Sequence, residues 1–320
     1  MFREGLPNVV PALLLAAIFS VATRASGEPF AYIPGEGSGT LTVIDTALDT
    51  VVGEIAAGGK PRGIAISPDG AVAYVSDLPA SALLVIDIPS RRTRATVALG
   101  ESPEGVSASP DGRWVAAAIE VANSVALIDA ATTREVARIK TEGKNPEHAV
   151  FSPDSRWLFV SAEDGTQVDV IDVEARRQVD HVSVGRRPRG IAFTPDGSFA
   201  YVACELDSTV YAIDVAARRV AARIPAGEFS NGVAMHPSGK LVYISNGRGA
   251  SVSVIDVARN AIVETIPVGT RPWNMAMTPD GGKLYVANGR SNSVSVIDTR
   301  TNRRITDVAV GKLPWGVAIH

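Results

Sequence analysis

From about residue 28 onward, apolar and polar positions alternate in short runs rather than in helical arcs. The stretch that begins at Pro188 shows the pattern well: "GIAFT", "FAYVAC", "STVYAIDV" and "RVAARIPAG" follow one another with polar punctuation between them. Each run is rich in β-branched and aromatic residues and keeps a rough period of two, which predicts four strands per unit. The punctuation agrees. In "TPDG", Pro195 presets φ, Asp196 tolerates the bridge region and Gly197 accepts φ > 0, giving a type I turn followed by a left-handed residue.

The pattern recurs with a fixed beat. An Ile-Asp pair places its Asp at 45, 87, 129, 172, 214, 256 and 298, so successive gaps are 42, 42, 43, 42, 42 and 42. The proline of the "SPDG" turn and its variants falls at 68, 110, 153, 195, 237 and 279, with the same spacing. Antiparallel four-stranded units of this length, arranged radially, predict an all-β, seven-bladed β-propeller. First strands run "GIAIS", "GVSAS", "HAVFS", "GIAFT", "GVAMH", "NMAMT" and, at the end of the chain, "GVAIH". The N-terminal unit has no first strand of its own, so the C-terminal strand (about 313–320) is expected to supply it and close the ring. The predicted blades are 28–58 plus 313–320, 61–100, 103–143, 146–185, 188–227, 230–269 and 272–311. The seven repeated aspartates resemble catalytic residues, but their presence in every unit marks them as turn residues.

The first 27 residues read differently. Arg3 supplies a basic start, Val9 to Ala22 is an apolar run, and "ASG" (Ala25 to Gly27) offers small residues for cleavage after Gly27 or Ala25. This is the pattern of a signal peptide, with an uncleaved anchor as the alternative, and it predicts a periplasmic or secreted protein with no membrane span after cleavage. No cysteine lies near the site, which excludes a lipoprotein. The single cysteine, Cys204, cannot form an internal disulfide and reads as a small apolar filler. A net charge of −3 argues against nucleic acid as the main partner.

"LYVANGRSNSVSVIDTRTNRRITDVAVGKLPWGVAI" resembles the YVTN-type β-propeller repeat family of exported proteins. "PRGIAFTPDG" and "LPWGVAI" are similar to β-propeller proteins associated with pyrroloquinoline-quinone (PQQ)-dependent catabolism. Two departures stand out: "AAAIEV" replaces "YVAN" in blade three, and "EFSNG" lacks the usual proline in blade six. The leading expectation, from a variable charged face without an enzyme constellation, is a non-catalytic propeller acting as a protein-interaction scaffold or ligand-binding accessory. The resemblance implies a tie to periplasmic quinoprotein oxidation, with a dehydrogenase or cytochrome as partner. It allows PQQ, haem or a divalent metal, although the residues themselves call for no cofactor.

Function in such a wheel is expected at the loops of one face, around the central channel. That face carries the loops into each first strand and those joining second to third strands. Aligning the units shows which positions vary. At the entry to the first strands, blades one to seven place Trp315, Arg62, Glu104, Glu147, Arg189, Asn231 and Trp273. The next position is Gly in five blades but His148 in blade four and Asn274 in blade seven. The second-to-third loops place Glu36, Leu78, Glu120, Glu163, Glu205, Gly247 and Gly289, and Arg248 and Arg290 follow the two glycines.

Variation between copies cannot come from the repeat, so these positions are the candidate ligand or partner site. They form an acidic sector in blades three to five and a basic, aromatic one in blades six and seven, where Arg271 also falls. Such a rim suits a small bipolar ligand or a complementary protein. Glu147 and His148, as strand neighbours, point to opposite sides and make poor joint metal ligands. Trp273 and Trp315 could stack on a ligand or plug the channel, whereas Trp114 and Trp157 read as packing residues. No G-x-S-x-G, Cys-x-x-Cys, haem-attachment or phosphate-loop motif is present. The competing expectation is a lactonase-like, metal-assisted hydrolase or lyase built on Glu104, Glu147, His148 and Arg189. A haem d1-type tetrapyrrole site is the third.

Overall fold

The computed structural model describes residues 29–320 together with Met1. The expected signal segment lies outside the described residues. Seven four-stranded sheets, all antiparallel, are arranged as a ring, and in six of them the strands follow one another in chain order. The exception is the closing blade. There the C-terminal strand Ala318–Ile319 pairs with Phe30–Gly35, which is followed outward by Thr40–Asp45 and Thr50–Ala56. Phe30 N–H donates to the His320 carbonyl at 2.8 Å, and Trp315 N–H donates to the Pro34 carbonyl at 3.0 Å. The wheel is therefore sevenfold, and its two chain ends share one sheet. No helix among the described residues is long and apolar enough to cross a membrane.

The core sits between blades. Ala116, Ala118, Val125 and Leu127 of blade three pack against Phe151, Leu158, Val160 and Ile171 of blade four, and every neighbouring pair of blades builds a cluster of this kind. This is why second and third strands are apolar on both faces, as in "WLFVSA", while fourth strands alternate and are half exposed. Truncating a buried residue such as Leu158 to alanine would cost about 2–5 kcal/mol.

The two faces of the wheel follow different rules. On one, the repeated aspartates hold the hairpins. The Asp172 carboxylate accepts from Ala175 N–H at 2.8 Å, and Asp214 from Ala217 N–H at 2.8 Å, with the same arrangement in the other blades. The turn-residue assignment is correct. On the other face, each first strand begins with a break in register. In blade two the pairing shifts between Pro61 and Ile64, so Arg62 leaves the ladder. Such a bulge re-aims the side chain after the proline toward the axis. Gly63 is required beside it, because a Cβ there would lie 2.2 Å from the Glu104 carbonyl of the next blade.

Candidate functional site

The re-aimed side chains surround a cavity of about 320 Å³ on the face opposite the aspartate hairpins. Of the residues singled out from sequence, Glu36, Arg62, Glu120, Glu147, Glu163, Arg189, Asn231, Arg271, Trp273, Asn274 and Trp315 line it, together with Arg187. Glu104 and Glu205 are buried and hold guanidinium groups that reach the cavity. Arg248 and Arg290 do not line it. Arg248 is exposed and lies 3.8 Å over the Phe229 ring, and Arg290 faces solvent.

His148 is also displaced from the wall. Its ring stacks on Trp315 with centroids 5.5 Å apart and an 18° interplanar angle. Trp315 comes from blade one and His148 from blade four, so this stack spans the channel. The indole lines the cavity and plugs the channel at once. Burial, aided by the charge of Arg189, lowers the His148 pKa to about 4, and Nδ1 has no hydrogen-bond partner among the described residues.

The charges interleave instead of forming two opposed sectors. Arg189, only 11 % exposed, donates to Glu147 at 2.7 Å, Glu163 at 3.0 Å and Glu205 at 2.9 Å. Burial alone would lower its pKa, but these three carboxylates outweigh it and keep the guanidinium charged. Glu205, 0 % exposed, opens a short 3-10 turn (Glu205–Asp207) and also binds Arg271 at 2.9 Å and Arg187 at 3.3 Å. Arg187 further pairs with Glu163. On the far side Arg62 bridges Glu36 and Glu104. Burial and the facing Glu147 push the Glu163 carboxyl above the ordinary range, against the pull of Arg189.

Carboxylate oxygens of Glu120, Glu147 and Glu163 lie within 4.8 Å of one another, a spacing a cation can bridge. The Arg189 guanidinium already bonds two of the three and supplies that positive charge. The donor set fits a hard, oxygen-preferring ion no better than it fits the arginine.

Arg187 was not among the sequence candidates. It precedes the proline of its first strand, a column that runs Lys60, Ser102, Asn145, Arg187, Phe229, Arg271 and Leu313. Arg187 and Arg271 hold φ of 59° and 58°, a left-handed conformation that costs a non-glycine residue about 1–2 kcal/mol and swings them over the cavity. The signal available was variation one position upstream of the aligned column. The two glycines of the loop column have partners too. A Cβ on Gly289 would lie 2.4 Å from the Trp273 ring, and one on Gly247 would lie 3.2 Å from Arg271. Where the loop residue shrinks, the neighbouring entry residue grows.

With this geometry in hand, a family model described as "Lactonase, 7-bladed beta-propeller" matches residues 54–180 and 172–310. The chain belongs to the lactonase seven-bladed β-propeller family. The YVTN-type repeats it resembles are a related kind of propeller. None of the curated proteins matches this lactonase-family chain. Among solved structures it is similar to a chain of hydrazine synthase from Kuenenia stuttgartiensis, with 26% identity, TM-score 0.76, 89% of this chain and 99% of that one covered. It also overlays on a putative 6-phosphogluconolactonase from Bacteroides uniformis at 21% identity and TM-score 0.77, covering 92% and 100%. A functionally unknown protein from Desulfotomaculum acetoxidans gives 16% and 0.79, covering 91% and 98%. The last two likenesses speak to the fold.

Proposed function

We propose that the protein is a hydrolase that opens small cyclic esters bearing a negative charge, with its active site in the Arg189 cavity. Family membership favours this reading over the non-catalytic scaffold expected from the sequence. The observation that carries it is the buried Glu205 holding Arg189 and Arg271 in fixed positions at the cavity.

Two guanidinium groups fixed in this way bind an anionic substituent and stabilise the oxyanion that forms when water adds to the ester carbonyl. Glu147 and Glu163 face each other with Arg189 between them, and such a pair divides acid and base roles. In its ionised form Glu147 takes a proton from the attacking water. Glu163, with its raised pKa, returns one to the ring oxygen as the carbon–oxygen bond breaks. The product is a hydroxy acid, and one proton is released to solvent. Trp273 and Trp315 form the apolar wall against which a ring can lie.

The test is a panel of five- and six-membered sugar-acid lactones, with acid release followed by a pH indicator. Turnover that falls by about 10²–10³ in Arg189→Lys supports the reading. No turnover above the spontaneous rate on any charged lactone overturns it. The runner-up is a docking rim for a periplasmic dehydrogenase or cytochrome, favoured by the interleaved charges around the mouth. It predicts that such a partner co-purifies with the native protein and is released by salt. Export to the periplasm, carried by residues 1–27 of the sequence, is likewise a proposal and is checked by cell fractionation.

A further inference from the structure

One buried acid at this site has no part in the reaction just described. Glu104 is 1 % exposed. Arg62 donates to its Oε1, Ser102 Oγ lies 3.3 Å from the same oxygen, and Oε2 has no hydrogen-bond partner among the described residues. Three charged groups face it: Arg62 from the inner strand of blade two, Glu147 from that of blade four, and Glu120 from the loop of its own blade. One guanidinium, shared with Glu36, is set against two like charges. An ionised Glu104 would also leave a bare, charged oxygen in a low-dielectric interior, which is heavily penalised. A proton removes the like-charge repulsion and takes the charge off that oxygen.

There is a path for that proton to the cavity. Ser102 Oγ donates to Glu120 Oε2 at 2.6 Å, and Glu120 lines the cavity beside Glu147 and Glu163. A single hydroxyl thus joins the buried acid to the open carboxylates. We propose that Glu104 is the proton store of the cavity, exchanging its proton with Glu120 through Ser102, with Arg62 as the counter-charge that stabilises it once the proton has left. In the step, a half-turn about Cγ–Cδ presents the protonated oxygen to Ser102. Glu104 gives its proton to Ser102 Oγ while Ser102 gives its own to Glu120 Oε2. Glu104 ends as a carboxylate on Arg62 and Glu120 as a neutral acid, and only O–H bonds change. The carboxyl pKa of Glu104 is raised to about 8 by burial and Glu147, against the pull of Arg62, which agrees with a stored proton at neutral pH. As a source of catalytic protons this rests on the hydrolase reading. Glu104 is then a positioning residue, because it acts through Glu120.

The test needs no substrate, so its outcome is separate from that of the lactone assay. Infrared spectra of the full chain at neutral pH, with and without 13C-labelled glutamate, are compared for the parent and Glu104→Gln. The parent is expected to show a protonated-carboxyl band that Glu104→Gln lacks, and this band should disappear as pH rises through about 8. Any protonated carboxyl other than Glu104 contributes a band that both proteins share. In Ser102→Ala the Glu104 band should persist, but its decay after an upward pH jump should slow about tenfold or more. Arg62→Gln should move the loss of the band to higher pH. Identical parent and Glu104→Gln spectra would overturn the store, and an unchanged decay rate in Ser102→Ala would overturn the route. Far-ultraviolet spectra and melting curves of the variants confirm that they fold.

Discussion

The two rims of the wheel are built from the same seven units, and they have opposite relations to the repeat. On the hairpin rim every unit uses its aspartate in one way, as an acceptor for backbone N–H groups two to three residues on. On the cavity rim equivalent positions hold Arg62, Glu147, Asn231 or Trp273, and the charged ones among these find their partners in other blades. Local bonds are repeated because each blade must fold. Cross-blade bonds differ because they need to be made only once. A charged residue that recurs in every copy is therefore structural, and one that breaks the register is where chemistry concentrates.

The largest perturbation attacks what both rims share. Deleting Lys312 to His320 removes the inner strand of the closing blade and the backbone bonds of Phe30, Pro34 and Glu36. The truncated chain should lose its cooperative melt by circular dichroism. A melting curve like that of the intact protein would contradict the closed ring.

Arg189→Ala comes next. It leaves Glu147, Glu163 and Glu205 without their shared partner and should cost about 3 kcal/mol in denaturant unfolding, in addition to any loss of turnover. Glu104→Gln should have a pH-dependent effect. A carboxyl whose pKa is raised on folding stabilises the protein fully below its unfolded value, about 4.5, and loses that contribution as pH rises through about 8. The amide stays neutral, so the melting temperature of Glu104→Gln relative to the parent should climb across that interval. A constant difference would mean that Glu104 is ionised throughout. The smallest effect belongs to the hairpin rim: Asp172→Ala should cost about 1 kcal/mol and leave the cavity unchanged. If Asp172→Ala impaired ligand turnover as much as Arg189→Ala, the division between the rims would fail.

The fold was legible in the sequence because two markers kept one period and because the strand count came out one short at the start and one over at the end. The positions of the site were legible for the same reason, since aligned units expose what varies. Partnership was not. Glu104, Glu147 and Glu205 look alike as solvated loop acids, yet Glu104 and Glu147 are buried on guanidiniums from neighbouring blades and Glu205 on Arg189 of its own blade and Arg271 of blade seven. Nothing in a linear alignment shows which strand faces which across the channel. Arg187 escaped because a residue before proline is expected to be extended, while here it is left-handed. His148 was placed at the mouth by register, and stacking on Trp315 takes it down into the channel.

Pro29 and His320 lie together beside Thr278, Pro279 and Asp280, on the hairpin side of the wheel. A tether attached at either place, whether a natural leader, a fused domain or a purification handle, would hold the molecule with its cavity turned outward. Immobilising the protein by its C-terminus should accordingly leave access to Arg189 unobstructed.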